Sequence, residues 1–502
     1  RRRFKAFKPY AEAMDLLLRA QLPDKAAEQL KQAVAIDGDF LEAQFALGQA
    51  LSAAGHSRLA GDAYVKAEQM SVQLNGSHHL QALVSAGIAY DDATDHEAAQ
   101  RCFLEAEKWG ANDALALVGR VLRLSFDLKH DDELLQTAEE AARRGGHLWE
   151  THFALGMVHY LRATDGFVDR VSGSEASAAA LRKALALAPR QAQVHEWLAA
   201  ALSLVASTPE RIAEVKAHVD RGIELQSHDG NRRVSRAHFA GMWGEDGEAD
   251  IAAGMKLGAA PFLVKLARAK RESESGNFAA TFKLYSEILE LTRSAPLHVP
   301  SWVHAGIELK RYDEVLPVFE RWAKARPHNP SAFWLRALLS ERKDNDRKAA
   351  IRHMREGLKV TPHNLHLHTQ LARMLCDNGE FDEAVTATGK AIELSLENPL
   401  LCQIRLHSLK QLNRFDEARA YLKHMNVRYA GQLNDFDQGM AHIDALEKAF
   451  KKQATKVIEK AESQTPPQKA ESAPSPAALP DDNPFAREPG ASDNAKDNPF
   501  KQ

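Results

Sequence analysis

Apolar and small residues recur along this chain at helical spacing, in blocks that follow one pattern. Ala26-x3-Leu30-x2-Ala33, Ala60-x3-Tyr64-x2-Ala67 and Ala99-x3-Phe103-x2-Ala106 each place two alanines and a larger residue on one helix face. Helices expected ahead of such blocks carry small residues: Leu47-Gly48, Ala86-Gly87 and Leu155-Gly156. From Ala26 to Ala60 is 34 residues, and Ala350, Ala384 and Ala418 repeat that spacing. A period of this length predicts stacked helix pairs, each burying its apolar face on its neighbours. Proline use agrees. Eight of the 20 prolines lie in the last 40 residues, leaving 12 across the first 462. A long stretch rich in Ala, Leu, Glu, Lys and Arg with so few breakers is all-α.

Further blocks fill in the unit. Leu181, Ala184 and Pro189 follow the second-helix pattern with Ser177 at its small position, and Ala350, Met354, Gly357 and Pro362 repeat it. Trp302, Ala305, Gly306 and Leu309 supply a first helix, completed by Val315, Phe319, Trp322 and Pro327. Asn378-Gly379-Glu380-Phe381 and Asn413-Arg414-Phe415 read as turns between paired helices. The whole pattern resembles the tetratricopeptide repeat (TPR), with W-x2-L-G-x2-Y on the first helix and A-x3-F-x2-A-x4-P on the second. The resemblance spans about 7–430 in roughly twelve pairs, strong near 41–110 and 299–430, weak at 114–147 and 230–295. It implies a right-handed α-solenoid.

The expected organisation is a basic segment over 1–6, an N-terminal array over 7–228 and divergent repeats or a junction over 229–298. A C-terminal array over 299–430, a long helix over 431–462 and a tail over 463–502 complete it. Residues 162–176, with Gly166, Ser172 and Gly173, read as a turn expanded into a loop. In the long helix, Met440, Ile443, Leu446, Phe450, Ala454 and Ile458 fall at helical spacing, suited to capping the stack, with a partner-binding coiled coil as the sharper alternative. The tail, with Pro466-Pro467 and Pro474-Ser475-Pro476, lacks the residues to bury a core and is expected to be disordered. Within it Asp482-Asn483-Pro484-Phe485 returns as Asp497-Asn498-Pro499-Phe500.

Charge and chemistry narrow the function. Lys+Arg total 65 against 68 Asp+Glu, a net charge of -3, so no global field favours nucleic acid. Three cysteines, Cys102, Cys376 and Cys402, build neither a disulfide framework nor a four-cysteine zinc site. No phosphate loop, nucleophile elbow or metal-binding helix is readable. Gly241-x2-Gly244-x2-Gly247 lacks a preceding strand, and His363, His366 and His368 lack completing ligands. Asp91 and Asp92 read as a solvated helix end. The expectation is a non-enzyme without cofactor or metal.

The family resemblance implies protein partners held on the concave face that the first helices line. Its groove positions map to Phe45 and Gln49, Val84 and Ile88, Phe153 and Met157, Val303 and Ile307, and Thr369 and Arg373. These depart from the Lys/Asn/Arg clamp of chaperone-tail binders and imply an apolar groove for a helix or extended segment. In the tail, Asn483-Pro484-Phe485 and Asn498-Pro499-Phe500 are similar to the Asn-Pro-Phe ligands of EH domains. They also resemble the tip of bacterial single-stranded-DNA-binding proteins, although Lys501 and Gln502 follow here. Two copies suit a multivalent partner domain. The expectation is a cytoplasmic scaffold or adaptor. The alternative is an assembly factor of a bacterial envelope or secretion complex, tethered to the inner membrane by a segment ahead of Arg1-Arg2-Arg3-Phe4-Lys5, which opens the chain without Met.

Overall fold

The computed structural model describes residues 2–110, 113–126, 132–206, 208–291, 298–394, 399–428 and 436–463. Among these residues regular structure is helical throughout, with 25 α-helices and no strand. The first six pairs are α1 (Arg2–Leu18) with α2 (Pro23–Ile36), α3 (Leu41–Ala53) with α4 (Ser57–Asn75), α5 (Leu80–Asp92) with α6 (His96–Trp109), α7 (Ala114–Phe126) with α8 (Asp132–Arg144), α9 (Trp149–Asp165) with α10 (Arg170–Leu187), and α11 (Ala192–Ser203) with α12 (Pro209–Leu225). Shorter elements follow: α13 (Gly230–Arg236), a 3-10 turn (Ala240–Trp243) and α14 (Glu248–Lys256). Pairing resumes with α15 (Pro261–Glu274) and α16 (Phe278–Leu291), α17 (Val299–Glu308) and α18 (Tyr312–Ala325), α19 (Pro330–Arg342) and α20 (Arg347–Val360), α21 (Leu365–Asp377) and α22 (Phe381–Glu393), α23 (Pro399–Gln411) and α24 (Phe415–Arg428). The last helix is α25 (Phe436–Ser463).

The small-against-large pattern sets the pairing. A Cβ on Gly48 of α3 would lie 2.6 Å from the Tyr64 ring of α4, and one on Gly156 of α9 would lie 2.5 Å from Leu181 of α10. Gly87 meets Phe103 and Gly306 meets Val315 in the same way. Ser177, the small position of its block, is fully buried and donates to the Gly156 carbonyl at 2.7 Å. First helices also touch the next pair's first helix, as in α5–α7, α7–α9, α17–α19 and α21–α23. One apolar core runs from Ala6 to Ala201, and smaller clusters continue it beyond.

One local expectation is corrected. The segment 162–176 is no expanded loop: α9 runs to Asp165, α10 starts at Arg170, and only 166–169 connect them. Asp169 caps α10, accepting from the Ser172 amide at 2.8 Å, and the alanine-rich stretch behind it favours helix. The basic start 1–6 enters α1 from Arg2, where Arg3 pairs with Asp37 at 2.5 Å and donates to the Asp39 carbonyl at 2.6 Å.

The chain divides into two compact units, Arg1–Ile443 and Asp444–Gln502. In the first, Ile443 is buried and Gly439 faces Leu422 of α24. In the second, the described residues continue α25 to Ser463, with Lys451 paired to Glu447 one turn before it at 2.6 Å. Both Asp-Asn-Pro-Phe sequences lie outside the described residues.

Candidate binding surfaces

The groove positions divide by burial. Phe153, Met157, Val303 and Ile307 are buried, with Val84 and Ile88, and pack in the core rather than presenting a surface. Phe45 is half-buried, stacked on His79 at 4.9 Å and tilted against Tyr64 at 5.3 Å. Gln49 is exposed one turn further along α3. Thr369 is buried and donates to the Leu365 carbonyl at 2.8 Å, while Arg373 pairs with Asp377 at 2.9 Å and with Glu341 of α19 at 3.1 Å. Thr369 and Arg373 share α21 with polar groups that border open space, His366 and Gln370.

Those groups begin with an aromatic ladder that the spacing did not single out. His304 of α17, Trp334 of α19 and His366 of α21 stand on three successive first helices. The His304 and Trp334 rings are 4.8 Å apart, and Trp334 and His366 meet edge-on at 4.6 Å. His304 and Trp334 are half-buried and His366 is exposed, so the ladder is held by its neighbours and reaches the surface at His366. Beyond His366 lies a recess of about 400 Å³, lined by Arg170, Thr164, His363, Asn364, Gln370 and Leu400 among others. Its walls come from two turns far apart in sequence. The His363 amide donates to the Gly166 carbonyl at 3.0 Å, and the Asn364 side chain donates to the Asp165 carbonyl at 2.8 Å. Gly166, at φ +82°, packs directly on the Asn364 backbone and leaves no room for a Cβ.

A second long-range contact joins α3 and α5 to α11–α15. Arg232 of α13 is 5% exposed. Its guanidinium meets Asp92 at 2.8 Å and Glu196 at 2.6 Å, with Asp229 at 3.7 Å, and donates to the Gln226 side-chain oxygen Oε1. Gln226 in turn donates to the Ser52 carbonyl at 2.6 Å, and Asn231 to the Asp92 carbonyl at 3.2 Å. Asp92 is therefore no solvated helix end. Burial pushes its carboxyl up to about 7, with Arg232 opposing and Asp229, Glu196 and Asp91 adding to the rise. Burial alone would lower the Arg232 pKa, but the surrounding carboxylates outweigh it and keep the guanidinium charged. The contact is structural: its one cation is enclosed by carboxylates of the same chain.

Among the described residues no group of three or more His, Cys, Asp or Glu side chains is placed to hold a metal ion. None of the described helices is long and apolar enough to cross a membrane.

Paired helices stacked through small residues, with rings and polar groups on the first helices, define a helical-repeat protein. Residues 266–461 match the model of the tetratricopeptide repeat family, and that segment is a tetratricopeptide-repeat array. Two solved structures are similar at 14% identity. The crystal structure of the yeast Tom70 covers 92% of this chain and 99% of its own at a TM-score of 0.42. That of the APC/C hetero-tetramer Cut9–Hcn1 covers 79% of this chain and 95% of its own at 0.36. No curated protein matches.

Proposed function

We propose that this chain is a non-catalytic scaffold that holds one protein partner on the α17–α23 first-helix face and recruits another through its two Asn-Pro-Phe sequences. The His304–Trp334–His366 ladder carries the reading for the array. Rings held by their neighbours and still partly exposed give apolar contact at little entropic cost. Repetition carries the reading for the tail: Asn483-Pro484-Phe485 and Asn498-Pro499-Phe500 give a partner with several pockets two anchors on one chain. Each buried phenylalanine contributes about 1.5–3 kcal/mol before ordering costs. Quantitative affinity capture with the full chain tests both. His366→Glu is expected to deplete one set of partners and the Phe485→Ala, Phe500→Ala double variant another. If neither changes what is captured, the scaffold reading fails.

A second reading is favoured by α1. Phe4 and Phe7 are 86% and 56% exposed, with Arg2, Lys5 and Lys8 exposed beside them. Aromatic rings among cations suit an anionic lipid interface, which would place the scaffold at a membrane. Co-sedimentation with phosphatidylserine vesicles tests it: Phe4→Ser, Phe7→Ser is expected to abolish binding, and absence of binding by the unaltered chain removes the reading.

A further inference from the structure

We infer that the recess between the α9–α10 turn and the start of α21 receives the carboxylate of an acidic side chain on an extended peptide, with Arg170 pairing to it. The inference rests on the scaffold reading above and names the chemistry its array selects.

Arg170 is half-buried in the first turn of α10 and lines the recess. Among the described residues no carboxylate or carbonyl pairs with it, and its one charge neighbour is the hydroxyl of the half-buried Tyr160 of α9. A guanidinium carries five N–H donors and keeps its charge, so withdrawing it from water without supplying acceptors is unfavourable. Burial accordingly pushes its pKa below the ordinary arginine value. Its place at a helix N-terminus adds the positive end of the helix dipole to the same spot. The adjacent Asp169 is committed elsewhere, capping α10 through the Ser172 amide.

Two further groups line the same recess with unmet hydrogen-bonding capacity. The His363 Nδ1 atom is buried without a partner and donates in the tautomer that protonates it. Gln370 accepts from Arg373 at 3.0 Å through its carbonyl oxygen, and its amide N–H groups have no partner among the described residues. An oxygen-rich anion entering the recess can accept from Arg170 and from the Gln370 amide. One fixed cation matches the planar single charge of a carboxylate, whereas a phosphate dianion would leave charge uncompensated.

A peptide fits better than a free ion. The recess of about 400 Å³ exceeds a carboxylate by far, and Leu400, 44% exposed, gives its rim an apolar contact. His366 belongs both to the recess and to the His304–Trp334–His366 ladder. A chain lying along those rings would reach Arg170 with an acidic side chain without leaving the surface.

Fluorescence anisotropy on the full chain tests the inference with two labelled, amidated pentapeptides, Ala-Leu-Glu-Leu-Ala and Ala-Leu-Gln-Leu-Ala. The Glu peptide is expected to bind at least about tenfold more tightly. Arg170→Gln is expected to erase that preference with the melting temperature unchanged. Arg170→Lys, which keeps the charge and loses the planar fork, is expected to weaken Glu-peptide binding several-fold. Millimolar inorganic phosphate is expected not to displace the peptide. Equal binding of the two peptides, binding of neither, a Glu preference that survives Arg170→Gln, or displacement by phosphate each overturns the inference. Protein capture that persists in any of those cases leaves the scaffold reading standing. Capture of nothing by the unaltered chain overturns that reading instead.

Discussion

Arg232 and Arg170 both sit where distant parts of the chain meet, and they differ in what surrounds them. Arg232 is enclosed by Asp92, Glu196, Asp229 and Gln226, so each of its three nitrogens meets an acceptor. Arg170 stands beside a junction made of neutral hydrogen bonds, Asn364 to Asp165 and His363 to Gly166, and takes no part in it. A buried arginine with a full set of partners is explained by the fold. A half-buried one that faces only Tyr160 and meets no carboxylate or carbonyl among the described residues is not, and the proposed peptide supplies that acceptor. The same residue type thus marks a structural staple in one place and a binding position in the other.

The comparison breaks most easily at the staple. Arg232→Met would leave three carboxylates facing one another in a buried site, and removing one partner of such a cluster costs about 3–5 kcal/mol. The expected result is a lower denaturation midpoint and faster amide hydrogen exchange at residues 52–54 and 226–232. Exchange at His363 and Asn364 should stay as it is. Unchanged protection over 226–232 would show that the ion cluster holds nothing together.

The neutral junction should yield less. Gly166→Ala forces a side chain into left-handed backbone at φ +82° and against the Asn364 backbone. The conformational part costs about 1–2 kcal/mol and the overlap adds to it, giving about 2–3 kcal/mol. Exchange should quicken at the His363 and Asn364 amides and not at the Arg232 site. A variant as stable as the parent would mean that the two turns do not bear on each other.

The hairpins were legible in the sequence because their physics is local. Gly48 precedes Tyr64, and Gly87 precedes Phe103, by the same 16 residues, and in each pair the glycine gives room to the ring. Periodicity also found the inward faces of the first helices, but not which of them are covered. Phe153, Met157, Val303 and Ile307 read as groove and pack as core, because a 34-residue repeat fixes a helix face and not what the next pair lays upon it. The two junctions left no periodic trace. Asp92 and Arg232 are 140 residues apart, and Asn364 and Asp165 are 199 apart. In a chain with so many charges, Asp92 at a helix end reads as solvated until its partner is seen. Arg170 was hidden likewise, inside a stretch whose glycines and serines suggested a loop. The signal that finds it is a tally of partners, which needs coordinates.

The smallest effect should come from pH, and it bears on whether the staple is as fully satisfied as its distances suggest. Asp92 faces Arg232, Glu196, Asp229 and Asp91, one cation among four carboxylates. Burial raises its pKa from 3.8 to about 7. A carboxyl whose folded pKa lies above its unfolded value holds its proton in the folded state and releases it on unfolding. Its contribution to stability is then complete below the unfolded value and lost as pH rises through the folded one. The window therefore runs from 3.8 to about 7, the reverse of an ordinary salt-bridged aspartate. The slope is at most about 1.4 kcal/mol per pH unit, and integrated between about pH 6 and about pH 8 the loss is about 1.4 kcal/mol. Asp92→Asn keeps the oxygen that accepts from Arg232 and removes the titration. The difference in stability between parent and Asp92→Asn is expected to shift against the parent as pH rises through about 7. Urea denaturation of both chains across that range measures it. A shift in the parent's favour would mean that Arg232 outweighs burial and keeps Asp92 ionised, making the staple an ordinary ion pair.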